Sequence, residues 1–186
     1  MKITGGKAKG RSILLPSRIR GGLRPTASKV REAVFNILGN RIYGALFVDL
    51  FAGSGVMGLE ALSRGASFVV FVENRHLFAH KIKESVSKMN FALQSKIEVS
   101  KAIDFLKKTK ADHVLFDIIF LDPPYHTEDL DRIIDFLAEY NPVKEDGVIL
   151  IEHFHKKELP IELSQSLRQK VYRYGDTVIS LYKRKD

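Results

Sequence analysis

Residues able to do chemistry concentrate in two short stretches. In VDLFAGSGVMGLEAL, residues 48–62, Gly53, Gly55 and Gly58 form the spacing G-x-G-x-x-G directly after an apolar run. Such a loop turns tightly and lets the backbone approach a nucleotide. Glu73 closes the next apolar run, where a carboxylate can accept hydrogen bonds from both hydroxyls of a ribose. On these residues alone a nicotinamide dinucleotide and S-adenosylmethionine are equally good occupants. The bland alternative for Glu73 is a solvated acid at a strand end.

The second stretch, FLDPPYHTEDL at residues 120–130, separates the two occupants. Neither Pro123 nor Pro124 has an N–H, so Asp122-Pro123-Pro124-Tyr125 presents a carboxylate and carbonyls without competing donors. The following proline also pushes Asp122 toward an extended conformation. A corner rich in acceptors beside an aromatic ring suits an amino group on a flat base. The lone pair of such an amine is delocalised into the ring. Acceptors at Asp122 and the Pro123 carbonyl help it pyramidalise and stabilise the positive charge that develops on attack. Tyr125 is placed to stack on a base extruded from its helix or loop. The expected chemistry is N-methylation from S-adenosylmethionine. The alternative is a plain proline turn closing a strand.

The chain has no cysteine. Methylation at C5 of a pyrimidine, which begins with a thiolate adding to the ring, is therefore excluded. Direct in-line transfer to nitrogen needs no enzyme nucleophile and no metal.

These residues require elements to hold them. Residues 45–50, 67–73, 96–100, 114–122 and 147–153 read as strands, near-continuous in Val, Ile, Leu and Phe. Residues 56–65, 76–90, 102–109 and 128–140 read as the intervening helices. That rhythm predicts an α/β fold, a mostly parallel sheet covered on both faces, with ligands at the carboxyl ends of its strands. KVYRYG and DTVISLYK, joined at Gly175-Asp176, predict a C-terminal antiparallel hairpin. Residues 27–39 predict a helix with an apolar face of Val30, Val34, Ile37 and Leu38, and the start of the chain predicts a short hairpin. Phe35, Phe47, Phe68, Phe71, Phe116 and Phe120 are expected in the core. With 186 residues the chain is expected to be a single domain, a basic extension at 1–45 followed by a core at 46–186.

The net charge of +8 lies in that extension. Residues 1–45 contain ten Lys and Arg (Lys2, Lys7, Lys9, Arg11, Arg18, Arg20, Arg24, Lys29, Arg31, Arg41) against one acid, Glu32. So one-sided a patch points to a polyphosphate partner, here nucleic acid, over a face that merely keeps the protein soluble. The absence of cysteine, of a signal core and of a membrane-length apolar run points to the cytoplasm. His76 and His80, four apart on a helix, lack a third ligand and read as a solvated face. His153 and His155 read as rim or loop residues past the fifth strand.

The chain resembles the class I S-adenosylmethionine-dependent methyltransferases, and more closely the RsmD family of bacterial 16S ribosomal RNA guanine-N2 methyltransferases. The resemblance rests on GGKAKGR near the start, GLRPTASKVREAVFNIL at 22–38, VDLFAGSGVMGLEALSRGA at 48–66, FVE at 71–73, LDPPY at 121–125 and YGDTVISLYKR at 174–184. It implies a Rossmann-like, seven-stranded fold and methyl transfer to the N2 amine of a guanine in small-subunit rRNA, by a monomer. It implies cofactor contacts from Asp49, Phe51, Gly53, Ser54, Gly55, Glu73 and Asn74, and target-base contacts from Asp122, Pro123, Pro124 and Tyr125. It places Arg24, Thr26 and Arg31 near the cofactor and the RNA, while Lys7, Lys9, Arg11 and Arg18 of the basic extension would meet the RNA. Relatives commonly place an acid or amide before a small residue after the third strand, facing adenine. This chain has Ser100-Lys101-Ala102 there, with its acid only at Asp104, which leaves the Ala102 backbone for that contact. Two alternatives stand beside this reading. One is an adenine-N6 methyltransferase on DNA or RNA, and the other a non-catalytic RNA-binding or ribosome-assembly factor of the same fold.

Overall fold

Short runs of β-branched and aromatic residues become strands where their pattern predicts them. The computed structural model describes residues 1–15, 28–124 and 128–185, which fall into two units, Met1–Ser100 and Lys101–Asp186. In the first unit β1 (Leu46–Asp49), β2 (Phe68–Val72) and β3 (Ser95–Glu98) run parallel, with β2 paired to both others. The helices α2 (Val56–Ser63) and α3 (His76–Lys88) make the crossovers. Every residue of α2 is buried, including Glu60 and Ser63, so this helix has no solvent face to give it a polar stripe. Phe47 and Phe71 are fully buried, whereas Phe68, the first residue of β2, is only half-buried.

Before these strands lies α1 (Ser28–Leu38), which buries Val30, Val34 and Leu38 as predicted. Its buried face is turned from the expected one, however. Phe35 and Arg31 are buried, and Ile37 is half-exposed. The first thirteen residues form the expected hairpin, closed by an antiparallel bridge between Lys2 and Ser12 and by Ile3 N–H donating to the Arg11 carbonyl at 3.0 Å. Ile3, Ala8 and Ile13 bury its apolar side.

The second unit contains α4 (Ala102–Ala111), β4 (Phe116–Leu121), α5 (Asp129–Glu139), β5 (Val143–Phe154), β6 (Glu162–Leu163), β7 (Ser166–Tyr174) and β8 (Thr177–Arg184). β4 and β5 are parallel, and β5–β8, β8–β7 and β7–β6 are antiparallel. The α/β class with a C-terminal antiparallel hairpin is therefore observed, but the described residues form eight strands where seven are expected. The added strand, β6, has two residues, too few to show an alternating pattern. His153 corrects another expectation. It lies within β5, buried, with Nε2 2.9 Å from Ser180 Oγ on β8. Burial lowers its pKa below the ordinary histidine value of 6.5. Among the described residues no helix is long and apolar enough to cross a membrane.

Candidate functional site

At the carboxyl ends of β1 and β2 the glycine loop is built around two carboxylates. Asp49, the last residue of β1, is buried, and its Oδ2 accepts the Gly58 N–H at 3.1 Å. Gly58 is in the first turn of α2, so Asp49 satisfies a helix-start donor and places its charge at the favourable end of the helix dipole. Gly55 precedes α2 with φ of 76°, and a Cβ there would stand 2.8 Å from Ile82. At Gly58 a Cβ would meet the Phe71 ring at 2.2 Å. The spacing of these two glycines thus lets the loop and α2 pack against α3 and β2. Gly53, with φ of 53°, donates its N–H to Glu73 Oε2 at 2.8 Å. Phe51 is half-exposed in the same loop and Ser54 is buried.

Glu73 follows β2 and is 5% exposed. Besides Gly53 it holds Arg75, whose backbone N–H and Nε both donate to Oε1 at 2.9 Å. The Arg75 guanidinium lies over the Phe78 ring, 3.8 Å from its centroid, and its side chain is 49% exposed. Sequence reasoning missed Arg75, because nothing in its spacing ties it to the carboxylate two residues before it. Asn74 is exposed. Just past β3 the Ser100 hydroxyl is buried without a hydrogen-bond partner among the described residues. The rim of this unit therefore offers a buried carboxylate, a half-exposed glycine loop and an unsatisfied hydroxyl. That set of polar groups fits a ribose diol, whose hydroxyls would donate to the carboxylate, and a polar base edge, the parts of an S-adenosyl ligand that need partners. In the second unit, Ala102 opens α4 and is buried, with Asp104 exposed in its first turn.

The second unit also carries the proline corner. Asp122 leaves the end of β4 half-buried, Pro123 is buried and Pro124 is exposed. Tyr125 lies outside the described residues, as do Arg18, Arg24 and Thr26.

The described basic residues divide into two kinds. Lys7 and Lys9 are exposed on the hairpin, with Lys7 Nζ 4.9 Å from the Phe91 ring centroid. Arg11 is exposed too, and its guanidinium meets the carbonyls of Lys88 and Met89 at the end of α3, at 3.3 and 3.4 Å. Arg31 is different. Expected at the RNA, it is 4% exposed, with Nε 3.9 Å from Glu60 and NH2 donating to the Lys2 carbonyl at 3.2 Å. Glu60, itself fully buried, also accepts from Thr4 N–H at 2.5 Å, Thr4 Oγ1 at 2.8 Å and Arg64 Nε at 3.2 Å. Arg31 braces the hairpin, α1 and α2 and presents no charge at the surface. On the helix face read as solvated, His80 pairs with Glu84 at 3.4 Å.

Comparison with known proteins places this arrangement. A family description, Conserved hypothetical protein 95, matches residues 1–183. The ribosomal RNA small subunit methyltransferase D of Haemophilus influenzae is 36% identical over 160 residues, 86% of this chain and 81% of that protein. The protein of the same name from Escherichia coli is 33% identical over 99% of this chain and 90% of its own length. The chain belongs to the methyltransferase D family. The solved structure of yhhF from Escherichia coli superposes with a TM-score of 0.86 at 30% identity, covering 100% of this chain and 98% of that one. The family match extends through the hairpin, the glycine loop, the proline corner and β8, so the family shares the N-terminal extension as well as the strands.

Proposed function

We propose that this protein is an S-adenosylmethionine-dependent methyltransferase acting on the exocyclic N2 amine of a guanine in 16S ribosomal RNA. The observation that carries the reading is Glu73, a buried carboxylate at the end of β2 tied to the glycine loop through the Gly53 N–H. It stands where a ribose diol would be held, in a chain of the methyltransferase D family. Bound S-adenosylmethionine supplies a methyl group made electrophilic by its sulfonium. The protein's part is to bind and orient. Glu73 accepts the ribose hydroxyls as Arg75 moves aside, and Gly53, Gly55 and Ser54 let the backbone lie close to the ligand. Asp122 and the Pro123 carbonyl hold the N–H groups of the amine, and Tyr125 stacks on the base. Transfer needs the amine nitrogen in line with the methyl carbon at about 3 Å, the geometry of a near-attack pair. The proton released from the methylated amine leaves to solvent.

In this reading the chain works as one catalytic domain and as a monomer in the cytoplasm. Residues 1–45 meet the RNA through Lys7, Lys9 and Arg11, and through Arg18, Arg24 and Thr26. The test is single-turnover transfer of labelled methyl to small-subunit particles, with mass mapping of the modified nucleoside. Asp122→Ala should lower transfer by ~10²-fold or more, the usual cost of losing one preorganised group that stabilises transition-state charge. Cofactor affinity and the thermal melt should stay as in the wild type. A wild-type rate in Asp122→Ala, or a product other than N2-methylguanine, would refute the assignment.

A further inference from the structure

The parallel pairing of β4 and β5 brings a second carboxylate to the proline corner. Leu121 is in register with Ile151, so Asp122 and Glu152, each one residue further on, are neighbours across the pair. Strands lie about 4.8 Å apart, and register partners direct their side chains to the same face of the sheet. Asp122 is held toward an extended conformation by Pro123 and so continues the strand's alternation past the end of β4. Glu152 is still within β5 and is 4% exposed, whereas Asp122 is half-buried. Val148, Ile149, Leu150 and Ile151, which precede it, are all buried and apolar, so the carboxylate at Glu152 interrupts the apolar pattern of the strand. Departures of this kind from the local pattern belong at sites of function.

We propose that Glu152 is a specificity residue that reads the N1–H of the target guanine, while Asp122 and the Pro123 carbonyl hold its N2 amine. This rests on the guanine-N2 reading above and deepens it. The Watson–Crick edge of guanine presents two adjacent donors, N1–H and N2–H, and two neighbouring carboxylates present matching acceptors. Adenine offers an amine beside a bare N1, which is an acceptor. A carboxylate facing that nitrogen gains no hydrogen bond and repels its lone pair. D-P-P-Y accepts any exocyclic amine, so by itself it does not choose between the bases. Glu152 supplies the choice.

The test uses the full chain and small-subunit particles whose target position carries either guanine or 2-aminopurine. 2-Aminopurine keeps the N2 amine but has no hydrogen on N1. The wild-type protein should prefer guanine by ~10³-fold or more in single-turnover transfer, because sites built to bind a donor strongly reject an analogue lacking it. In Glu152→Gln the amide can accept from N1–H or donate to bare N1, so transfer to guanine falls, transfer to 2-aminopurine rises, and the preference collapses to roughly tenfold or below. A Glu152 that only supports the fold would lower both rates together and leave their ratio unchanged, which overturns the inference. Near-equal wild-type transfer to the two bases also overturns it, and that measurement needs no variant to fold. Absence of N2 methylation on guanine by the wild type would instead refute the guanine-N2 reading, and this inference with it.

Discussion

Replacing Glu60 by alanine should destabilise the protein without touching the glycine loop. The carboxylate is fully buried and gathers the Thr4 N–H, the Thr4 hydroxyl and Arg64, with the buried Arg31 guanidinium 3.9 Å away. Breaking a buried ion pair by removing one partner costs about 3–5 kcal/mol, because the other charge stays in the interior. A buried N–H deprived of its acceptor costs about 1–3 kcal/mol. These losses share a carboxylate and do not add. A total near 4 kcal/mol is expected, and for a chain of this size that lowers the melting temperature by roughly 8–16 °C. Urea denaturation followed by circular dichroism measures it. Glu60→Gln keeps an oxygen for Thr4 and should cost less. Arg31→Met in the Glu60→Ala background should recover part of the loss by removing the stranded cation. If Glu60→Ala unfolds within about 1 kcal/mol of the wild type, the hub is not what fastens the hairpin and α1 to α2.

Three further outcomes are expected. Arg75→Ala should tighten S-adenosylhomocysteine by about two- to fivefold in calorimetry, since the guanidinium competes for Glu73 through a half-exposed ion pair worth up to about 1 kcal/mol. Weaker binding would show that Arg75 holds the ligand. His153 is kept neutral by burial, so its contribution to stability is complete above the unfolded pKa of 6.5 and is lost as pH falls through the lower folded value. The urea midpoint should therefore drop below pH 6.5 more steeply in the wild type than in His153→Leu, and parallel profiles would contradict this. Reversing Lys7 and Lys9 to glutamate should flatten the salt dependence of rRNA binding by a slope of about 1–2, with cofactor affinity unchanged. An unaltered slope would make the hairpin a solubility device.

Which features were legible in the sequence follows from how local their signals are. β1, β2, α2 and the loop between them declare themselves in one contiguous run, because each strand is buried on both faces and Gly53 and Gly55 take positive φ. The β7–β8 turn is equally local, Gly175 having φ of 64°. By contrast, β6 and β7 are joined through Ser164 with φ of 50°, where a serine stands in place of the glycine or asparagine that would signal the turn. Arg31 looked like a surface cation because its partners, Lys2 and Glu60, are 29 residues away in either direction. Nothing in the spacing of α1 marks a charge as buried. Glu152 was passed over for a related reason. A single carboxylate inside an apolar strand reads as an interruption until the register of β4 against β5 puts it beside Asp122.

The placement of the hairpin bears on how RNA would be held. α2 begins at the glycine loop and α3 begins three residues after Glu73, yet the hairpin docks on their far ends. Lys7 N–H donates to the carbonyl of Ser63, the last residue of α2, and Arg11 reaches the carbonyls that close α3. Thirteen helical residues at 1.5 Å each separate that end of α3 from the rim carrying Glu73 by about 20 Å. Arg11, and Lys7 over the Phe91 ring just past that end, are therefore far from the rim that carries Glu73. Their charges suit phosphates elsewhere on the same RNA, where contacts set position and orientation without reading sequence. The hub at Glu60 then acquires a functional meaning, since it fixes the distance between a grip on the backbone and the rim where a base would be methylated. A loosened hairpin would still attract RNA through its charge. It would no longer deliver the target base to one place, so the defect in Glu60→Ala should appear in the transfer rate at saturating RNA as well as in stability.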